Sequence, residues 1–330
     1  MHIEPVNKHA ERLVKDALGD ADRYHRTKNQ EYLSAASVKL DNARSEDPEY
    51  LPAFYVRAIV DDLSGRSVDA IKVFEQILVE NPPFHDEVEF HLGVAHYHQF
   101  DSASLDKAIS HLANVAERTS GSLLECRARA ALVQAFGMKM VPPDPRNANL
   151  EEINHYSTLL QQQCAVTETS LKKLGQVDDL ALTQLSAGLC NAKALAWMYW
   201  SDFFGTKEEK SALLRRALQE LESADGDSPN DWAIQCNIGS AWMRLGHWEA
   251  SEKSFLSAQA HLKKVLEQLR PNYGFALYEL GRVCRLQGLF VKAIDYFHDA
   301  LAIPYEYRGV SNRRLSLEKE RAEHSSKEYP

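Results

Sequence analysis

The chain has 330 residues, a formal net charge of -9 and an isoelectric point near 5.8, which leaves no domain-wide basic field of the kind that concentrates phosphate backbones. Nucleic acid is therefore not an expected partner. Hydrophobic residues at 44% and charged residues at 26% are ordinary for a folded globular chain and argue against global disorder.

In chain order, Ala36, Leu40, Ala43 and Pro48 form the second helix of a pair that begins near Ala17 or Leu18, with Tyr24 where a small residue would be expected. Phe54, Ala58, Ala70, Phe74, Ile77 and Pro82 repeat the same spacing, and Leu92-Gly93 with Ala108, Leu112 and Val115 repeat it again. The turn 99–104 is read as an insertion of about three residues. Leu123 to Phe136 predicts a helix, Val141 to Pro145 a break, and Leu150 to Ala165 a further helix. Leu180 to Phe204 is a long apolar-rich helix ending in Trp197, Tyr199, Trp200, Phe203 and Phe204, an aromatic set read as core before platform. Glu208 to Ser223 supplies its antiparallel partner, and Asp225 to Asn230 reads as a stop.

The pattern then returns. Ile238-Gly239, Trp242, Gly246, Trp248, Phe255 and Ala258 form one copy, with Ser251 in place of an alanine and Ala250 one position early. Its second helix runs on through His261 to Leu266 and is expected to protrude. Leu280-Gly281, Gly288, Ala293, Phe297, Ala300 and Pro304 form the last and clearest copy. Small residues at Gly281, Ala293 and Ala300 let two helices approach, and Leu280 and Phe297 fill the space between them. The tail from Tyr305 to Pro330 is charged and is expected to begin as a solvent-facing helix and fray.

These strings resemble the tetratricopeptide repeat, a helix-turn-helix unit of about 34 residues. The resemblance spans roughly residues 17–118 and 232–304. It implies an all-α chain, a right-handed superhelical solenoid of antiparallel helix pairs with an irregular helical middle section. The expected organisation is a repeat array at 1–118, a degenerate helical section at 119–231, a repeat pair at 232–305 and a tail at 306–330.

In the family, first helices line a concave face that meets the ligand. Carrying those offsets over gives Tyr55, Ile59, Asp62 and Leu63, then Glu87, Phe90, Val94, Tyr97 and His98, then Met243 and Arg244, then Phe275, Tyr278, Arg282, Arg285 and Leu286. From these the partner-binding set is expected to be Tyr55, Phe90, Tyr97, His98, Arg244, Phe275, Tyr278, Arg282 and Arg285. The three arginines beside aromatic rings suit an acidic or C-terminal-carboxylate segment, because guanidinium forks bind carboxylates. Pairing of those arginines with neighbouring glutamates such as Glu279 is the competing reading. The two-carboxylate clamp by which some members hold chaperone tails is absent at Ala21, His25 and Tyr55.

The function implied is a non-enzymatic adaptor that binds a protein or peptide segment, with a peptide-responsive regulator, or an enzyme built into the irregular middle, as alternatives. The histidines at 85, 91, 96 and 98 lack the converging ligands a metal needs, and no phosphate loop or nucleophile elbow occurs, so no cofactor is expected. The five cysteines are widely spaced with no CxxC pair, which reads as reduced structural thiols. No stretch approaches roughly 18 apolar residues and Met1 to Pro5 has no leader character, so a cytoplasmic location is expected by default. Self-association is left open.

Overall fold

In a computed structural model the described residues are 7–27, 29–99, 101–140, 149–174, 179–228, 231–269, 273–303 and 312–328. Their regular structure is entirely helical. The expected break at Val141 to Pro145, together with Phe100, Pro271 and Pro304, lies outside them. The chain divides at Ala135–Phe136 into two compact units.

The N-terminal unit contains α1 (Lys8–Thr27), α2 (Gln30–Glu46), α3 (Leu51–Leu63), α4 (Ser67–Val79), α5 (His85–Tyr97), α6 (Ser102–Arg118) and the start of α7 (Leu123–Lys139). Short connections make α1/α2, α3/α4 and α5/α6 hairpin pairs. First helices also pack on first helices, α1 on α3 and α3 on α5. Ala10, Val14, Ala17, Ala21 and Tyr24 form the buried stripe of α1, so this helix begins upstream of the repeat start expected at Ala17 or Leu18. Ala36, Leu40, Ala43, Val56 and Val60 close one core, and Ala58, Ala70, Phe74, Ile77, Val88, Leu92 and Ala95 close the next. Ser102 to Ser104 of the expected insertion are helix. The Asp101 side chain accepts the Ser104 N–H at 3.0 Å, and this cap draws Ser102 to Ser104 into the first turn of α6.

The C-terminal unit contains α8 (Leu150–Lys173), α9 (Asp179–Phe203), α10 (Lys207–Asp227), α11 (Trp232–Glu249), α12 (Glu252–Lys264), α13 (Gly274–Leu286), α14 (Phe290–Ala302) and α15 (Asn312–Glu328). A reciprocal capping box between Thr206 and Glu209 starts α10, and Asp231 caps α11 through the N–H groups of Ala233 and Ile234. Helix α10 runs through the expected stop as far as Asp227 before Ser228 ends it. In α11 and α13 the repeat glycines mark the closest approaches. A Cβ at Gly239 would stand 2.7 Å from Leu262 Cγ, and one at Gly281 would enter the Phe297 ring, so only glycine lets these helices meet at this distance.

Two expectations fail here. The extension of α12 does not protrude: Leu262 and Val265 are fully buried in the α11–α13 core, and the chain widens into a π-helical turn at Val265–Leu269. The tail helix is not solvent-facing either. Leu315, Glu318 and Ala322, spaced i, i+3 and i+7, form one buried face, and α15 packs on α14 and α13. Burial of two apolar side chains outweighs the charge of the rest.

Four of the five cysteines are buried and none is in a disulfide; burial raises Cys126 to about 11 and Cys164 to about 12, so both stay protonated thiols. Among the described residues no helix is long and apolar enough to cross a membrane.

Candidate functional site

In the N-terminal unit the first-helix residues converge around His91. The Tyr55 ring of α3 lies 5.4 Å from Phe84 and 5.7 Å from His91, centre to centre, and Phe90 meets His91 at 5.0 Å. Phe90 itself is buried, and the Arg127 guanidinium of α7 sits 4.8 Å above its ring. His98, which ends α5, places Nδ1 at 2.9 Å from Asp62 Oδ2, while Ser67 Oγ donates to Asp62 Oδ1 at 2.6 Å. Burial works against the charge on Asp62, but the attraction and hydrogen bond of His98 and the bond from Ser67 outweigh it and hold the carboxyl below its ordinary range. Tyr97 stays half-buried beside His98, ring centres 5.5 Å apart. Ile59 is buried and belongs to the core.

The remaining histidines of this stretch serve the α5–α6 packing. Glu89 is buried and accepts from Arg118 Nη2, from His111 Nδ1 at 3.1 Å and from Asn114 at 3.4 Å. The His96 and His111 rings stack at 5.8 Å. No group of three or more metal-ligating side chains converges among the described residues.

The C-terminal unit gathers the other expected residues into a chain of ion pairs. Arg244 of α11 is buried and grips Asp202 of α9 with Nε at 3.0 Å and Nη2 at 3.1 Å. Burial alone would weaken its charge, but Asp202 and Glu279 outweigh it and raise its pKa. On α13, Arg282 Nη1 donates to Glu279 Oε1 at 2.9 Å and its guanidinium lies 5.6 Å from the Tyr278 ring centre. Arg285 Nε donates to Glu318 Oε2 of α15 at 2.8 Å, and Arg321 donates to the other oxygen at 2.7 Å. Phe275 is half-buried 6.0 Å from Tyr278, which is itself buried against Phe297. Met243 is fully buried in the core.

Each of the three arginines expected to meet an acidic partner thus already holds a carboxylate of its own chain. Asp202 and Glu318, the partners of Arg244 and Arg285, lie within the irregular section and in the tail, outside the repeat copies, so repeat offsets could not signal them. Arg127 was missed for a similar reason, since α7 carries no repeat signature. The aromatic set of α9 is half-buried throughout: Trp200 stacks on Phe204 at 4.5 Å, and Arg216 covers Trp197 at 5.5 Å.

Residues 232–306 match the family model described as tetratricopeptide repeat. No curated protein matches the chain. Among solved structures, a tetratricopeptide repeat protein from Parabacteroides merdae ATCC 43184 is similar at 12% identity with a TM-score of 0.54, covering 96% of this chain and 100% of that one. The TPR domain of P58(IPK) is similar at 15% identity and TM-score 0.29, covering 96% and 98%. The TPR2AB domain of yeast Sti1, solved with pHSP90, is similar at 12% identity and TM-score 0.30, covering 95% and 99%. The chain therefore carries the tetratricopeptide repeat at residues 232–306, and its all-helical fold is that of a tetratricopeptide repeat protein.

Proposed function

We propose that the chain is a non-catalytic scaffold that binds a segment of another protein along the first-helix faces of its repeat pairs. The observation that carries this reading is the set of large side chains on first helices that the cores leave partly open: Tyr55, Tyr97 and His98 in one unit and Phe275 in the other. Half-open aromatics on packed helices are rigid anchors that lose little entropy when a partner covers them. The family match at residues 232–306 supports the same trade, since the repeat has no chemistry of its own to offer.

The acidic partner expected at Arg244, Arg282 and Arg285 enters this reading as a competitor rather than a guest of free cations. Arg244 is buried and its guanidinium is already held by the exposed Asp202, so an incoming carboxylate gains little there. At Arg285 it would displace Glu318 and, with it, part of the seat of α15.

Affinity capture with the full chain as bait tests the proposal. Tyr97→Ala is expected to lose captured proteins that wild type retains, while the thermal midpoint moves little because the side chain is only half-buried. An identical captured set from both baits would remove the first-helix face of α5 from the account.

A further inference from the structure

Each of Arg244, Arg282, Arg285 and Arg321 in the C-terminal unit is matched by a carboxylate. Arg127 in the N-terminal unit is not. It is exposed, stands over the Phe90 ring, and makes no ion pair with any described residue. A guanidinium stacked on an aromatic face keeps its edge N–H groups directed outward in the fork that fits a carboxylate.

The surroundings add two further donors. Arg127 is close enough for its charge to act on both the Tyr55 hydroxyl and the His91 ring. Neither group has a hydrogen bond to a described residue, and both residues are half-buried rather than fully enclosed. His91 is uncharged at neutral pH, because burial and the nearby Arg127 hold its pKa at about 3. It therefore offers an N–H without a competing cation. The nearby carboxylates differ in availability: Asp62 is buried and already engaged by Ser67 and His98, whereas Glu87 is exposed and its charge reaches Tyr55.

Resting on the scaffold reading above, we infer that Arg127, with Tyr55 and His91 beside it, is a docking site for a single glutamate or aspartate side chain of a partner peptide, flanked by uncharged or basic residues. The free guanidinium supplies the charge and the tyrosine and histidine supply neutral donors. Glu87 sets the flanking preference, because its charge reaches the Tyr55 hydroxyl and would repel a second acid beside the first.

Fluorescence anisotropy with short labelled peptides, capped at both ends to remove terminal charges, tests this on the full chain. The panel holds peptides with one central glutamate among neutral residues, their glutamine counterparts, and versions with a second glutamate beside the first. Wild type is expected to prefer the glutamate peptide over the glutamine peptide by about tenfold, the size of one charge-assisted hydrogen-bonded contact. Arg127→Gln should erase that preference without changing the thermal midpoint, since the side chain is exposed. Glu87→Gln should relieve the penalty for the second glutamate.

Equal binding of glutamate and glutamine peptides, or a preference that survives Arg127→Gln, would overturn the site and leave the scaffold reading intact. No binding of any peptide overturns the site as well. Only if affinity capture also retains no protein does the scaffold reading fall with it.

Discussion

His91 packs against Tyr55, Phe74 and Phe90, and its pKa of about 3 makes folding depend on acid. The folded value lies below the ordinary value near 6.5, so the unfolded chain binds the proton first as pH falls. Its contribution to stability is complete above about pH 6.5 and is lost progressively toward pH 3, at up to about 1.4 kcal/mol per pH unit. Glu89 and Asp62, whose folded pKa values are also lowered, add their loss only below about pH 4. Urea denaturation between pH 7 and 4.5 should show a shallower pH dependence for His91→Gln than for wild type, and equal slopes would show that His91 is not held neutral. Ala250 offers a second residue-level test. It ends α11 at φ 52°, a left-handed conformation costing an alanine about 1–2 kcal/mol. Ala250→Gly is expected to stabilise the chain by about 0.5–1 kcal/mol after glycine's own entropy is counted, read as a raised midpoint in denaturant.

Between elements, contact distance was the most legible feature of the sequence. Gly239 facing Leu262 and Gly281 facing Phe297 appear in the sequence as small residues at fixed offsets from large ones, because helices this close leave no alternative residue. Gly281→Ala drives a methyl group into the Phe297 ring and should cost about 1–3 kcal/mol by overpacking, measured by thermal or chemical unfolding. The packing of α15 was illegible for the opposite reason. Among the described residues of the tail only Leu315, Glu318 and Ala322 are buried, too few to stand out among charged residues. Leu315→Ala should cost about 2–5 kcal/mol if that face is the seat of the helix; a change below about 0.5 kcal/mol, ordinary for a surface site, would show that the tail is not docked.

Across the whole molecule, the repeats show the class of fold far better than they show a binding site. Offsets from Gly281 placed Tyr278, Arg282 and Arg285 on first helices, and the i, i+3 spacing already offered Glu279 to Arg282, yet nothing in those offsets shows that Glu318 pairs with Arg285. Likewise Tyr55 and Phe90 follow from repeat offsets, whereas Arg127 comes from a helix without the repeat signature. Long-range charge pairing depends on which helices meet, and that information lies in the fold rather than in any local string. A photo-crosslinking residue placed at Tyr97, on a first helix, and separately at Val79, which ends a second helix and is 83% exposed, tests the central claim most directly in the full chain. Cross-links to a partner polypeptide are expected from position 97 and not from 79. Cross-links from 79 alone, or equally from both, would contradict docking on the first-helix face.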